Sequence, residues 1–271
     1  MWKLRVFALT ALVMCSCTPG RSDAGSLESL FRSILADTDG SRLPKEEAVG
    51  VQFSRDMHTL TPSEIKGLLP LAQQCLVSKQ RLVRGYGVTF FALAALRTDS
   101  SQLLVPYIDD IAPLLDDPDP SIRNGAIYAL GSSKPRPPLR GIAYLDAHLR
   151  DQSNTADQFN MIVGALVAES VDSATIHKVI AAVRQRSDVD NVRGRFIEIL
   201  GISGTRAEEA MSFIRAGLMD TNSAVRATSI EAVSKMPRDI RVVFANELNA
   251  IASNPAITPQ QRDRARQVIT Q

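Results

Sequence analysis

Apolar positions recur at helical spacing along most of this chain, and polar or proline-containing turns separate the apolar stretches. The clearest example is 119–131, whose predicted helix has one apolar face made of Ile122, Ala126, Ala129 and Leu130. Asp119 is a favourable N-cap, and Pro120 suits the first helical position because its missing N–H is not needed there. Gly131 is predicted to end the helix in the left-handed conformation.

A second apolar stripe precedes this helix and ends at the turn 116–118. Its members are Leu104, Ile108, Ile111 and Leu115. Pro113 falls within this stripe, so the first helix must be kinked or shortened there. Two short amphipathic helices joined by a tight turn form a helical hairpin, which needs stacked copies to bury its apolar face.

Copies of the hairpin follow at a loose period. One position recurs directly after an apolar residue near the start of each second helix, and we call it the slot. Successive slots are 39, 36, 34, 33 and 36 residues apart. The slots are occupied by Arg84, Arg123, Phe159, Arg193, Arg226 and Arg262. A period of this size is typical of a helical-repeat array.

The runs 112–123 (APLLDDPDPSIR) and 220–227 (DTNSAVRA) resemble HEAT and HEAT-like repeats. The resemblance covers residues 61–271 and implies an all-α fold, a right-handed α-solenoid of about six HEAT-like helical hairpins. Such solenoids usually bind proteins. Phe159 replaces the Arg that the family usually carries, so we expect a regular Arg–Asp ladder to be interrupted there. Some HEAT-like proteins are lyases that attach bilins, so the resemblance leaves catalysis open.

Residues 1–17 are predicted to be an export signal. Lys3 and Arg5 form a positive start, and the apolar run 6–14 is too short to span a bilayer as a helix. The following Cys15-Ser16-Cys17 resembles the end of a bacterial lipoprotein signal, which implies a lipidated cysteine. Cys17 is favoured because the small Ser16 precedes it, and Cys15 is the alternative.

Ordinary signal cleavage, for example after Ala24, is the other interpretation of the leader. In either case, losing Lys3 and Arg5 takes the formal charge from +2 to 0, which argues against nucleic acid as a partner. Cys75 is then the cysteine expected within the folded body, and we interpret it as a small buried hydrophobe rather than a reactive thiol.

The remaining chain divides into a tether at 18–25, N-terminal capping helices at 26–60 and the repeat array at 61–271. Capping-box spacings begin predicted helices at Thr61 and Glu64, Thr155 and Gln158, and Thr205 and Glu208. Gly201 and Gly204 are expected to end the fourth repeat. The proline-rich segment 134–138 is predicted to be a stiff connection between repeats, with a recognition segment as the alternative.

No pattern in the sequence predicts a catalytic, cofactor or metal site. The three histidines, His58, His148 and His177, share no ligand spacing. The run 37–41 (DTDGS) opens like a calcium loop, but the loop would place Arg42 and Ala48 where Gly and Glu are needed. We therefore predict a turn at 37–41. Because no pattern predicts a catalytic site, we also predict that the chain is not an enzyme.

The arginine slot has two interpretations. The residues could form a basic ladder for an acidic partner, or each could bind a neighbouring Asp or carbonyls of the adjacent repeat. The second is favoured, because every slot lies next to a buried apolar position near a helix start.

The leading hypothesis is a protein-binding or scaffold solenoid, exported to the bacterial cell envelope and lipid-anchored in a membrane. A protein or peptide is expected on the second helices, where the candidate contacts are Asn124, Tyr128, Arg193 and Arg195. The alternatives are an enzyme or enzyme accessory of the HEAT-like lyase type and a structural subunit of an envelope complex. The sequence does not determine the partner, the membrane or the oligomeric state.

Overall fold

The computed structural model describes residues 24–37, 40–97, 99–132, 139–151, 153–169, 173–186, 189–203 and 208–270. These residues form helices and turns and contain no strand. The chain divides into two compact units, Met1–Pro135 (unit 1) and Arg136–Gln271 (unit 2). The predicted signal peptide with both candidate lipidation sites, the proline-rich segment 134–138 and the predicted helix boundary at 204–205 lie outside the described residues.

Unit 1 begins with a helical pair at the position where the sequence predicts capping helices. Its helices are α1 (Ala24–Ala36), α2 (Glu46–Met57), α3 (Pro62–Leu76), α4 (Arg81–Ala95), α5 (Ile108–Ile111) and α6 (Pro120–Gly131). The short α5 lies between two 3-10 helices, Ser101–Tyr107 and Ala112–Asp116. The expected proline effect is thus confirmed, since Pro106 and Pro113 accompany a first helix that is broken into three pieces.

Unit 2 repeats the hairpin pattern. Its helices are α7 (Leu139–Ala147), α8 (Ala156–Glu169), α9 (Ser173–Arg184), α10 (Val189–Ser203), α11 (Glu208–Leu218), α12 (Ser223–Ser234), α13 (Arg238–Arg241), α14 (Ala245–Ser253) and α15 (Pro259–Thr270). A 3-10 turn, Val242–Phe244, joins α13 to α14.

The second helices stack on one another within each unit. In unit 1, α4 packs on α6, on its hairpin partner α3 and on α2. In unit 2, α10 packs between α8 and α12, and α12 packs on α15. The apolar stripes predicted from the sequence form the contacts between the stacked helices, and their side chains are buried there. This burial is the main contribution to the stability of the fold.

An aromatic cluster joins the N-terminal pair to the first repeat. Phe31 of α1, Phe53 of α2 and Phe90 of α4 are fully buried. Their ring centroids are 5.2, 5.3 and 5.6 Å apart, with edge-to-face geometry on Phe90. Such contacts add to the burial of the rings themselves, and they fix the N-terminal pair against α4.

The predicted helix starts are confirmed where the structure describes them. Thr61 and Glu64 form a reciprocal capping box at α3, and Thr155 and Gln158 do the same before α8. The Asp119 carboxylate accepts the Ser121 N–H at 2.7 Å. These local hydrogen bonds satisfy amides that have no partner within the helix.

Two glycines do not play the capping part predicted for them. Gly131 is the last residue of α6 and is not left-handed, because the Ser132 N–H still donates to the Tyr128 carbonyl in the α-helical pattern. Gly201 does not end its helix either, since α10 continues to Ser203. A Cβ on Gly201 would lie 2.7 Å from the Ala232 Cα, so this glycine permits close approach of α10 and α12.

Candidate functional site

The slot arginines bind the turns of their own hairpins. Arg84, Arg123 and Arg226 each donate from Nη1 to the carbonyl oxygens of the residues six and five positions earlier, at 2.6–3.4 Å. Those carbonyls belong to the turn that follows each first helix. A cation is favourable there because it satisfies carbonyls close to the negative end of a helix.

Three slot arginines also reach one hairpin further along the chain. Arg84 contacts Asp117 at 2.8 Å, and Arg193 contacts Asp220 at 2.8 Å. Arg226 donates from Nε to the Gln261 side-chain oxygen at 3.2 Å. The structural interpretation of the slot is therefore confirmed for Arg84, Arg123, Arg193 and Arg226, with one correction. The carbonyls belong to the same hairpin, and the side-chain acceptors belong to the next.

Phe159 occupies the slot of its hairpin, and an arginine from a later turn takes the place of the slot arginine. The Arg186 guanidinium lies 5.0 Å from the centroid of the Phe159 ring. Its Nη1 donates to the Asn154 carbonyl at 2.9 Å. Asn154 stands five residues before the slot, which is where the slot arginines bind in the other hairpins. The series of slot arginines is therefore interrupted in the sequence, as expected. In the structure, the Arg186 guanidinium occupies the place where a slot arginine would bind the turn.

The turn between α5 and α6 carries a compact network of carboxylates. Asp117 is nearly buried and accepts from Arg84 and from the Asp119 backbone N–H. Burial opposes ionisation of Asp119, but hydrogen bonds from Arg81 and from the Ser121 N–H outweigh it, so the pKa of Asp119 is lowered. Capping, turn formation and ion pairing account for these acidic residues.

The four candidate contacts lie on two helices. Asn124 and Tyr128 are half-buried on α6 of unit 1, and the Asn124 Oδ1 atom is buried without a hydrogen-bond partner. Arg193 and Arg195 are on α10 of unit 2. The Arg193 side chain is 27% exposed and is held by Asp220, whereas Arg195 is 55% exposed and pairs with Glu198. Arg195 is thus the more accessible of the two arginines.

A row of ion pairs crosses the second helices of unit 2, and only Arg195 of this row was predicted. Glu198 of α10 binds both Arg195 and, at 3.7 Å, Lys235, the residue that follows α12. Glu231 of α12 binds Arg264 of α15 at 2.9 Å. Glu198 and Glu231 each stand five residues after a slot arginine. Aligning the repeats on that slot would have shown that both carboxylates occupy one structural position.

The remaining sequence candidates have local structural explanations. Cys75 is fully buried, and burial raises the pKa of its thiol to about 12, which agrees with a packing role. The Asp37 carboxylate accepts the N–H groups of Gly40 and Arg42, as expected for a turn. His148 Nδ1 lies 2.8 Å from the Tyr144 carbonyl oxygen. Within the described ranges, no group of three His, Cys, Asp or Glu side chains could hold a metal ion.

Both units contain a cavity within their described parts. A cavity of about 230 Å³ in unit 1 is bordered by α1 and the turn before α4. A cavity of about 360 Å³ in unit 2 lies between α11 and the segment 239–243. None of the described helices is both long and apolar enough to cross a bilayer.

Comparisons with known proteins identify the fold. No protein-family model matches the sequence, and no curated protein matches it. Among solved structures, an engineered protein is similar with a TM-score of 0.54 and 16% identity over 91% of this chain and 69% of its own. A mutant of Kap121p is similar with a TM-score of 0.64 and 16% identity over 92% of this chain and 29% of its own. At such identity the likeness establishes fold alone, and it confirms the predicted all-α solenoid.

Proposed function

We propose that this chain is a non-catalytic protein-binding or scaffold solenoid of the bacterial cell envelope, exported and anchored through a lipidated Cys17. The solenoid fold supports the binding part of the proposal, because a stack of hairpins presents a continuous surface built from second helices. The leader sequence supports export and anchoring through its positive start, short apolar run and Cys15-Ser16-Cys17.

One observation carries the binding proposal: the ion-pair row on α10, α12 and α15. The apolar faces of these helices are buried in the stack, whereas Arg195, Lys235 and Glu231 keep 39–55% of their side chains exposed. Surface ion pairs add little to folding stability, so charges placed at matching repeat positions are suited to choosing a partner. A protein segment with interspersed charges of both signs is the complementary ligand.

Site-specific photo-crosslinking in cells tests this surface. A photo-reactive residue replaces Arg195 or Lys235, with exposed Ser212 of α11 as the matched control position on a first helix. We expect one or two envelope proteins to be captured reproducibly from positions 195 and 235 and not from 212. Equal capture from all three positions would refute a binding surface on the second helices. Capture of nothing by a folded, membrane-bound chain would favour the enzymatic alternative.

Intact-mass measurement tests the anchor separately. The mature chain is expected to begin at a diacylated Cys17, and Cys17→Ala should release it from membranes. Cys15→Ala is the control and should leave the attachment unchanged. An unmodified and unprocessed N-terminus would contradict both export and lipidation.

A structural subunit is the second candidate, and a specific feature favours it. Val242 and Val243, which are adjacent in the turn before α14, expose 63% and 46% of their surface. Exposed apolar residues that cluster mark interaction sites more often than single ones do. Size-exclusion chromatography of solubilised membranes would favour this role if the chain always eluted in one large complex.

A further inference from the structure

Slot arginines of consecutive hairpins share an aspartate. In unit 1, the Asp117 carboxylate binds Arg84 at 2.8 Å, and the Asp117 carbonyl accepts from Arg123 at 2.8 Å. Asp117 stands six residues before Arg123, in the turn that precedes α6. Its side chain is only 4% exposed, and exclusion of water strengthens its attraction to Arg84. We call this arrangement of arginine, aspartate and arginine a turn triad.

Unit 2 repeats the positions of the turn triad twice, once with the aspartate and once without it. Asp220, six residues before Arg226, binds Arg193 at 2.8 Å through its carboxylate. The Asp220 carbonyl accepts from Arg226 at 2.6 Å. One hairpin later, six residues before Arg262, the chain carries the exposed Ala256 instead. The positions 226, 256 and 262 therefore have both arginines of a turn triad and no carboxylate.

The contacts of these two arginines reflect the missing aspartate. Arg226 Nε donates at 3.2 Å to the neutral side-chain amide of Gln261, whereas Arg84 and Arg193 bind a carboxylate one hairpin further along. Arg262 Nε is buried without an acceptor, and no contact among the described residues supplies the Arg262 guanidinium with one. A buried donor without an acceptor is unfavourable, so an acceptor at this position would stabilise the site.

The charged residues on the neighbouring elements do not replace the aspartate. Three ion pairs account for residues of α14, α15 and the facing side of α12, and they are Asp263 with Arg266, Arg264 with Glu231, and Glu247 with Arg215. The Asp220 carboxylate is held by Arg193. The charged residues of the segment 238–241 lie at the opposite end of α12, where Arg241 donates to the Ser234 carbonyl at 3.5 Å.

The turn around Ala256 is open to a partner. Residues 253–258 contain no charged side chain, and Ala256 is exposed together with its neighbours Asn254 and Pro255. A carboxylate brought in from outside can therefore reach the place that an aspartate occupies in the complete triads. Hydrogen bonds between a guanidinium and a carboxylate are stronger than those between neutral groups, so a carboxylate suits this place better than an amide or a hydroxyl does.

We propose that the positions 226, 256 and 262 bind an Asp or Glu side chain of a partner protein. The carboxylate lies over Ala256, accepts from Arg262 and pairs with Arg226, as the aspartates of the complete triads pair with their arginines. An acidic protein segment is the occupant, because Asp117 and Asp220 show that the place fits a carboxylate carried by a polypeptide turn. Neither arginine belongs to the ion-pair row, so this is a second binding surface of unit 2.

NMR of the full chain with ¹⁵N-labelled arginine tests the proposal. The Nε–H signals of Arg226 and Arg262 report on the site, and exposed Arg32 of unit 1 is the internal reference. The probes are a capped peptide with the sequence of residues 116–121 (DDPDPS), the same peptide with Asn in place of each Asp, and inorganic phosphate. We expect the acidic peptide to shift the signals of Arg226 and Arg262 and not that of Arg32, and the Asn peptide to shift none.

Variants of the chain locate the binding. Ala256→Asp supplies the missing carboxylate, so it should shift the Arg262 signal without peptide and weaken binding of the acidic peptide about tenfold or more, because a ligand within the chain has a high effective concentration. Ala250→Asp makes the same charge change at an exposed position of α14 and should bind as the wild type does. Arg262→Gln should weaken binding by roughly threefold to tenfold. Thermal unfolding checks that each variant folds.

Three results would overturn the proposal: equal binding of the two peptides, equal losses in Ala256→Asp and Ala250→Asp, or the same shifts with phosphate as with the acidic peptide at equal concentration. The last result would indicate a site for free anions rather than for a protein. Crosslinking from positions 195 and 235 should be unaffected by Ala256→Asp. Failure at this site is therefore distinguishable from failure of the second-helix surface.

Discussion

Replacing Gly87 by alanine should destabilise unit 1, although alanine is the better helix former. Gly87 lies inside α4, where this helix crosses α3. A Cβ at this position would lie 2.7 Å from the carbonyl oxygen of Ala72 and 2.8 Å from the Cβ of Cys75. Both atoms are fixed to the α3 backbone, so a side-chain rotation cannot relieve the overlap and the two helices must move apart.

The magnitude follows from two opposing terms. Alanine gains about 1 kcal/mol over glycine in a helix interior. Overpacking of a closely packed interior costs about 1–3 kcal/mol, and a clash with backbone lies at the upper end of that range. The net loss in the free energy of unfolding is therefore expected to be about 1–2 kcal/mol.

Urea unfolding followed by circular dichroism measures the loss, and labelling of the buried Cys75 thiol localises it. A loss of about 1–2 kcal/mol should accelerate native-state labelling of Cys75 roughly fivefold to thirtyfold, as quantified by mass spectrometry of its peptide. The matched control is Gly67→Ala in α3, where a Cβ would meet no atom within 4 Å. That variant should be more stable than the wild type by about 0.5–1 kcal/mol.

The comparison of the two glycines decides the reasoning. If Gly87→Ala matched or exceeded the stability of the wild type while Gly67→Ala behaved as expected, α3 and α4 could not approach as closely as described. If both variants were destabilised, the assumption that alanine stabilises these helices would be wrong. The loss in Gly87→Ala could then not be attributed to the contact between α3 and α4.

Three further predictions concern the turns. Asp117→Ala should lower the free energy of unfolding by about 2–3 kcal/mol, because it leaves Arg84 without its nearly buried partner; a change below about 0.5 kcal/mol in urea unfolding would contradict this. Arg186→Ala should cost about 1–2 kcal/mol through loss of its ring and carbonyl contacts, whereas the exposed Arg184→Ala control should change stability by less than about 0.5 kcal/mol. The pKa of Asp119 is lower in the folded state than its ordinary 3.8. Its contribution to stability is therefore complete above about pH 4 and disappears as pH falls through the folded pKa, and constant stability of unit 1 between pH 5 and 2 would exclude it.

Sequence reasoning succeeded for features that depend on neighbouring residues. The capping box of Thr61 and Glu64 lies within one turn of helix, so residue spacing alone predicts its two hydrogen bonds. Pro113 acts in the same local way, because the missing N–H interrupts its own helix. The hairpins were predictable for the same reason: each combines a local start signal with an apolar face of helical period.

It failed where the function of a residue depends on a distant partner. Gly201 has the same appearance in the sequence whether it caps α10 or lets α12 approach, and only the position of Ala232 distinguishes the two. The pairing of Glu198 with Lys235 needs the register of two consecutive repeats. The cavity between α11 and the segment 239–243 likewise depends on how two first helices face each other, which no single stretch encodes.

The arginine slot shows how the repeats can diverge in sequence and keep one physical requirement. The carbonyl groups after a first helix lie at its negative end and need donors, and a guanidinium supplies several of them along with a positive charge. Arg84 and Arg226 meet this need from the second helix of their own hairpins. Where Phe159 fills the slot, Arg186 stacks on the ring and donates to the equivalent carbonyl. What these hairpins share is a cation at the turn, not an arginine at one position in the repeat. The slot therefore stabilises the hairpin turns.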